Sequence, residues 1–396
     1  MVEPSSRNAL EQYLPKKVLV IEDDQSVQSL IKMSFRDYGI HDVYCFHDGQ
    51  AGWNELFETK FDLIILDWKL PSLEGKQIFN RLRMTKDFRH IPVIVVSGFL
   101  DEDGISLIND FFFSAWLEKP FDDSVLMKVA KEVLRDRFDF GVISKKADEL
   151  YFESFDHNVS RPMDVLNGWL QNYGQNPKGV SMVADILRNL HAYDQARQII
   201  TNSLKVHRSR SLLWHQLGLT QLLMGQYEKA QETFERANEI CDQNMERKVI
   251  LGLLDFHNGQ FDRGMVYFDA IRSEDPESPL NRSLIEIINF VRGRFTPAQI
   301  TQLTNGLGFC LNRLALQSTQ LGQYKEGSEF YSIALMFASE REAKAKLYYN
   351  LGICEARMGN RVNAMHNFFR SLDLLPNFSI TVEALRRFGF EVPYGM

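Results

Sequence analysis

The feature that most constrains this 396-residue sequence is a set of small and aromatic residues that recurs every 34 positions. Leu217-Gly218 recurs as Leu251-Gly252, and Phe234 recurs as Phe268. The pattern also extends back to Val183-Ala184, and it returns later in the chain with a period of 37. Small residues allow two helices to approach closely, and aromatic rings fill the space between them. Because one such unit cannot bury its apolar face alone, the pattern predicts a stack of helix pairs.

Five repeats of this kind are predicted, at about 177–210, 211–244, 245–278, 308–341 and 345–378. The segment 279–307 is predicted to be helical but does not fit the pattern, and 379–390 is predicted to be a capping helix. The second repeat resembles the tetratricopeptide repeat, and it carries almost the whole motif in Trp214, Leu217, Gly218, Tyr227, Ala230, Phe234 and Ala237. The expected domain is an all-α solenoid over 177–390.

The first third of the chain has a different sequence pattern, because short runs rich in β-branched residues alternate there with amphipathic stretches. The runs 17–21, 42–46, 61–66, 91–96 and 115–118 are predicted strands, and the stretches 25–38, 49–58, 74–84, 101–112 and 123–136 are predicted helices. Five strand–helix units imply a doubly wound, five-stranded parallel sheet with helices on both faces. The predicted boundaries are 15–138 for this α/β domain and 139–176 for a helical linker.

Composition limits the class of protein further. No apolar stretch approaches the ~18 residues that a membrane span needs. The N-terminal segment contains acidic residues and no apolar core, so no signal peptide is expected. The four cysteines are scattered, without the spacing of a zinc site or a disulfide framework. These features predict a cytoplasmic protein that does not bind membranes.

The distribution of charge argues against nucleic acid as the main partner. Residues 1–140 contain 17 Lys and Arg against 24 Asp and Glu, whereas residues 141–396 contain 28 of each. DNA-binding domains gain much of their affinity from basic residues that neutralise phosphates, and neither part is basic. A transcriptional regulator that binds DNA is therefore the less favoured alternative.

Polar residues follow four of the predicted strands at the points where the strands end. Glu22 and Asp23 follow the first strand, Asp67 the third, Ser97 the fourth and Lys119 the fifth. Because the carboxyl ends of parallel strands meet at one edge of the sheet, these side chains are expected to lie close together. Carboxylates crowded in this way repel each other unless a cation joins them, and Mg²⁺ prefers such oxygen ligands.

These residues resemble the receiver domain of bacterial two-component response regulators over about 15–138. The similarity is carried by VLVIEDD, DLIILDWKLPSLEG, VIVVSG and WLEKPF. It implies that Asp67 is the phosphoryl acceptor, that Glu22 and Asp23 bind Mg²⁺ with Asp67, and that the carbonyl of Lys69 is a further ligand. It also implies a phosphate-pairing role for Lys119 and a cis peptide bond between Lys119 and Pro120. The chain would then be a phosphoryl acceptor rather than an enzyme, with a sensor histidine kinase or phosphotransfer protein as its donor.

The same resemblance makes Ser97 the switch hydroxyl and Trp116 the aromatic residue that turns after phosphorylation. Phe111, Phe112 and Phe113 replace a turn that is commonly small in relatives. Phe113 is either a core residue or part of an interface. Phe111 and Phe112 are predicted to be an interface, with either a second receiver in a homodimer or the repeats.

The repeats are predicted to bind an unidentified signalling protein in a concave groove. The first helices of the repeats supply the candidate contact residues, half of which are expected to pack between repeats instead: His215, Leu219, Leu222, Val249, Leu253, Phe256, Leu316, Tyr349 and Ile353. No sequence motif for a catalytic output is present. The leading hypothesis is therefore a phosphorylation-gated adaptor, and a phosphate sink or relay intermediate is a further alternative.

Overall fold

The computed structural model describes residues 13–85, 87–153, 160–173, 176–278, 287, 306–338 and 340–390. These residues form two compact units. The first unit contains the described residues up to Thr220, together with Glu232–Lys248 and Ser273–Ser278. The second contains Gln221–Gln231, Val249–Arg272 and the described residues beyond 279. Within these described ranges, no helix has the length and hydropathy needed to cross a membrane.

A five-stranded parallel sheet forms the centre of the α/β domain, with the strand order β2-β1-β3-β4-β5. Its strands are β1 (Lys17–Ile21), β2 (Asp42–Phe46), β3 (Leu63–Asp67), β4 (Val93–Ser97) and β5 (Ser114–Glu118). Every residue of β3 and β4 is buried, as expected for strands covered on both faces. The predicted α/β fold class is confirmed.

Five helices accompany the sheet: α1 (Gln25–Asp37), α2 (Gly49–Glu58), α3 (Gly75–Met84), α4 (Glu102–Asn109) and α5 (Asp123–Glu153). Aspartate side chains accept hydrogen bonds from backbone N–H groups at the starts of α1, α2 and α4, which satisfies donors that the helix itself leaves free. The caps are Asp24, Asp48 and Asp101.

The helix α5 is longer than the sequence analysis predicted. It is continuous for 31 residues and passes through the boundary placed at 138. Its buried stripe continues through Phe140, Ala147 and Tyr151, whose spacing keeps them on one helix face. The first part of the proposed linker is thus an extension of the last helix of the α/β domain. The following helix, α6, spans Ser160–Tyr173.

The two faces of the sheet belong to separate hydrophobic clusters. On one face, Val18, Val20 and Ile65 pack with α1 and α5, and their cluster continues into the first repeat through residues such as Val183. On the other face, strand residues pack with α2, α3 and α4, and this cluster includes Cys241. The sheet and the first repeats therefore share apolar cores within the first unit.

The described part of the repeat region is built of pairs of α-helices. The helices are α7 (Pro177–Asn189), α8 (Tyr193–Leu204), α9 (Ser211–Leu223), α10 (Tyr227–Ile240), α11 (Met245–His257), α12 (Phe261–Glu274), α13 (Gly306–Gln320), α14 (Tyr324–Met336), α15 (Arg341–Arg357), α16 (Arg361–Leu374) and α17 (Ser379–Arg387). Residues 279–305, apart from Ile287, lie outside the described residues, so the prediction for that insert has no structural counterpart.

Close approach within a pair explains the recurring glycine and aromatic positions. A Cβ atom on Gly218 would lie 2.9 Å from the ring of Phe234, and one on Gly252 would lie 2.6 Å from the ring of Phe268. Both distances are too short for a methyl group, since interior atoms are already close-packed. The 34-residue recurrence therefore reflects contact between the two helices of each pair.

Candidate functional site

The carboxyl edge of the sheet brings three acidic side chains together. Pairing of Ile21 with Leu66 places the residues after β1 beside the end of β3. Carboxylate oxygens of Glu22, Asp23 and Asp67 consequently lie within 4.8 Å of one another. Glu22 and Asp67 are buried, whereas Asp23 is exposed.

Lys119 joins the two buried carboxylates. Its Nζ lies 2.7 Å from Glu22 Oε2 and 3.0 Å from Asp67 Oδ2. Burial by itself lowers the pKa of Lys119, but its hydrogen bonds to both carboxylates outweigh this effect and raise the pKa above its usual value. Lys119 therefore carries a positive charge. The peptide bond to Pro120 is cis, as the resemblance implied.

Glu22 has a strongly perturbed pKa. Burial is the main cause and raises the pKa of Glu22 to about 7. The hydrogen bond from Lys119 opposes this shift, while the charge of Asp67 adds to it. A proton or a cation thus stabilises this carboxylate near neutral pH.

The hydroxyl of Ser97 is bonded within its own loop. Ser97 Oγ donates to the carbonyl of Phe99 at 2.7 Å and accepts from the N–H of Phe99 at 3.2 Å. Trp116 is half-buried and packs against the hydrophobic cluster between the sheet and the helices α2, α3 and α4. The N–H of Lys69 donates to Asp67 Oδ1 at 3.2 Å, whereas the role of its carbonyl as a metal ligand stays a prediction.

The three consecutive phenylalanines differ in their surroundings. Phe113 is only 2% exposed and belongs to the core. Phe111 and Phe112 are half-buried. The ring of Phe111 lies 5.5 Å from that of Phe79, and the ring of Phe112 lies 6.4 Å from that of Phe140. Both residues therefore already pack within this chain, and contact with a separate partner stays a prediction.

Most of the groove candidates are buried rather than aligned along an open surface. These are His215, Leu222, Val249, Leu253 and Phe256. Apolar positions on the first helices pack against the second helices, as when the ring of Phe256 lies 5.1 Å from that of Phe268. Leu219, Tyr349 and Ile353 are half-buried, and Leu316 is exposed, so these four remain candidates for contact with a partner.

Two buried ion pairs were missed by the sequence analysis. Arg81 pairs with Asp275, and Arg247 pairs with Asp110. The two members of each pair are 194 and 137 residues apart in the sequence. Nothing in the local pattern distinguishes these four residues from the many charged residues on helix surfaces.

A five-stranded parallel sheet that carries a lysine among three carboxylates at its carboxyl edge defines a receiver-type domain. The family model for the response regulator receiver domain matches residues 18–131, and the tetratricopeptide repeat model matches residues 212–244. The chain thus contains the receiver domain of a two-component response regulator, joined to a tetratricopeptide repeat.

Similar proteins include an uncharacterized transcriptional regulatory protein, YclJ of Bacillus subtilis, with 30% identity over 152 residues. That match covers 38% of this chain and 65% of YclJ. The chemotaxis protein CheY of Pseudomonas aeruginosa is 25% identical over 117 residues, which cover 30% of this chain and 94% of CheY. Among solved structures, CheY4 of Vibrio cholerae has 23% identity and a TM-score of 0.28, and the match covers 30% of this chain and 97% of CheY4.

Proposed function

We propose that this chain is a phosphorylation-gated adaptor, in which Asp67 accepts a phosphoryl group and the repeats bind another protein. The donor would be a sensor histidine kinase or a phosphotransfer protein in the cytoplasm. The observation that carries the proposal is the contact of Lys119 with both Glu22 and Asp67, beside the exposed carboxylate of Asp23. This arrangement supplies an acceptor oxygen and a fixed positive charge at one place.

The donor set fits Mg²⁺. All three side chains offer carboxylate oxygens, which this hard cation prefers, and Asp23 is open to solvent. Burial also leaves Glu22 poorly stabilised as an anion. Glu22, Asp23 and Asp67 would hold the ion together with the carbonyl of Lys69. When bound, the ion would neutralise charge on the incoming phosphoryl group.

For phosphoryl transfer, the protein mainly has to position the reacting groups and compensate their charge. An oxygen of Asp67 bonds to the phosphorus while the bond from phosphorus to the donor's imidazole nitrogen breaks, which leaves an acyl phosphate. Lys119 then donates a hydrogen bond to a phosphoryl oxygen. Water later hydrolyses the acyl phosphate to inorganic phosphate, so the domain turns over only its own modification and is not an enzyme for another substrate.

Readout of the phosphoryl group would begin at Ser97. Its hydroxyl would exchange the carbonyl of Phe99 for a phosphoryl oxygen, and this movement would pull the loop before α4 toward Asp67. Trp116 would then turn inward. Both changes are shifts between two conformers of the receiver. Phosphorylation can drive such shifts when it stabilises one conformer more than the other.

The first test is labelling of the intact chain by acetyl phosphate with Mg²⁺. Wild type should incorporate phosphate, whereas Asp67→Ala should not. Asp103→Asn removes an exposed carboxylate on α4 and is the matched control. Equal labelling of wild type and Asp67→Ala would refute the acceptor role.

The second test concerns the adaptor role. Affinity capture with wild type in the presence and absence of beryllofluoride should recover a partner protein preferentially in one state. Recovery of the same partners in equal amounts would refute gating. Salt-sensitive, sequence-selective binding to DNA would instead support a transcriptional regulator, and rapid loss of label with no partner would support a phosphate sink or relay.

A further inference from the structure

The α3–α4 side of the receiver is held to the repeats by buried charges, all within the first unit. Arg81 on α3 donates two hydrogen bonds of 2.7 Å to the carboxylate of Asp275. Arg247 on α11 donates to Asp110 Oδ2 at 2.5 Å. All four side chains are at most 5% exposed. Removing one member of such an ion pair is costly, because the other charge stays buried without its opposite charge.

Asp110 is the centre of the second contact. Besides Arg247, it accepts hydrogen bonds from Asn244 Nδ2 at 3.0 Å and from the hydroxyl of Ser211. Arg247 is held in turn by the carbonyls of Ala237 and Cys241. We call the contacts that Asp110 makes with Ser211, Asn244 and Arg247 the Asp110 network.

The position of Asp110 is unfavourable for its own helix. It caps the C-terminal end of α4, where the helix dipole disfavours a negative charge, and the last turn of α4 has no basic residue. The carboxylate is therefore stabilised by the repeats rather than by local structure. This makes the end of α4 dependent on residues more than 100 positions away.

The other end of α4 lies next to the switch. Only the short segment from Gly98 to Asp101 separates the helix from Ser97, and Asp101 caps it. The helix has eight residues, so one short rigid element joins the phosphoryl pocket to the Asp110 network. A cleft of about 200 Å³ lies beside the helix and is lined in part by Glu102, Ile105 and Asn109.

We infer that Asp110 couples the phosphoryl pocket to the repeats, and that its network stabilises the unphosphorylated conformer. This inference rests on the proposed phosphorylation of Asp67. In this structure the Ser97 hydroxyl is bonded to the carbonyl of Phe99, and the intact network coexists with that arrangement. Movement of the Ser97 loop toward Asp67 draws α4 with it and weakens the network. Because coupling between sites is reciprocal, loosening the network favours the phosphorylated conformer.

The test compares full-length wild type with Asp110→Asn, which keeps the shape of the side chain and loses its charge. The probe is beryllofluoride with saturating Mg²⁺, a phosphoryl mimic, and binding is followed by tryptophan fluorescence. Asp110→Asn should be half-saturated at a concentration at least threefold lower than wild type. Asp103→Asn, which removes a charge from the same helix outside the network, should match wild type.

Hydrogen exchange supplies an independent readout. In wild type, beryllofluoride should speed exchange of the amides around Asn244–Lys248, and in Asp110→Asn these amides should exchange fast without it. Should Asp110→Asn fail to fold, Ser211→Ala removes one hydrogen bond of the network while the ion pair stays, and a smaller shift in the same direction is expected.

Two results would overturn the inference. One is a folded Asp110→Asn, or Ser211→Ala if the first variant does not fold, that needs as much beryllofluoride as wild type or more. The other is unchanged hydrogen exchange of the network in wild type when beryllofluoride is bound. A wild-type chain that does not bind beryllofluoride at all would refute the proposed function itself, and this outcome is distinct from the other two.

Discussion

The raised pKa of Glu22 predicts that binding of Mg²⁺ depends on pH near neutrality. Burial raises this pKa to about 7, and the cation must displace the proton that the carboxyl group holds below that value. At pH 6 about ten of every eleven molecules carry this proton, whereas at pH 8 about one in eleven does. The apparent affinity for Mg²⁺ should therefore be about tenfold weaker at pH 6 than at pH 8.

Isothermal titration calorimetry in two buffers with different ionisation enthalpies measures both the affinity and the protons released. At pH 6.5 about 0.8 proton should be released for each Mg²⁺ bound. The control is Glu22→Gln, which cannot titrate and should bind more weakly with no change between pH 6 and pH 8. Equal affinity of wild type at the two pH values, without proton release, would refute this account of Glu22.

The raised pKa of Glu22 also determines how the stability of the metal-free chain depends on pH. The folded-state pKa of Glu22 lies above its ordinary value of 4.5, so the folded chain binds the proton more tightly than the unfolded chain. The contribution to stability is complete below pH 4.5 and is lost as the pH rises to about 7. Saturating Mg²⁺ should restore the lost stability, and this is measurable by chemical unfolding.

Two further predictions concern packing, and both are measured as the free energy of unfolding in urea. Arg81→Met should destabilise the chain by about 3–5 kcal/mol because the buried carboxylate of Asp275 loses the guanidinium charge that faces it. The double variant Arg81→Met/Asp275→Leu should recover much of that loss, and equal losses in the two variants would contradict this account. Gly252→Ala should destabilise the chain, because the added methyl group would collide with the ring of Phe268. A methyl group at Gly168 meets no atom within 4 Å, so Gly168→Ala should stabilise its helix by up to about 1 kcal/mol. Similar effects of the two substitutions would contradict this reasoning.

The residues of the acidic pocket were predictable because each follows a strand directly. Glu22, Asp67 and Lys119 lie at the carboxyl edge of a parallel sheet, and this topology places strand ends together whatever the loops do. The sequence therefore predicted which side chains meet, although it gave no indication that burial raises the pKa of Glu22.

The contacts between receiver and repeats were not predictable in the same way. Helical periodicity tells which face of a helix is apolar but not which helix covers it, so the pairing of Asp110 with Arg247 has no local signal. A related reason applies to the groove candidates that the structure buries. An apolar residue on the first helix of a repeat, such as Phe256, suits internal packing as well as ligand contact, and the structure buries it.

The continuous α5 helix has a consequence for how this chain is made. Phe113 and Phe140 belong to a cluster that also includes Val183 and Leu217, so the apolar side of the receiver is complete only after the second repeat has begun. A protein cut at residue 138 would end inside α5 and lack Phe140, which would remove the contact of that ring with Phe113. During synthesis, some 80 residues beyond residue 138 must follow before this side of the receiver can be covered.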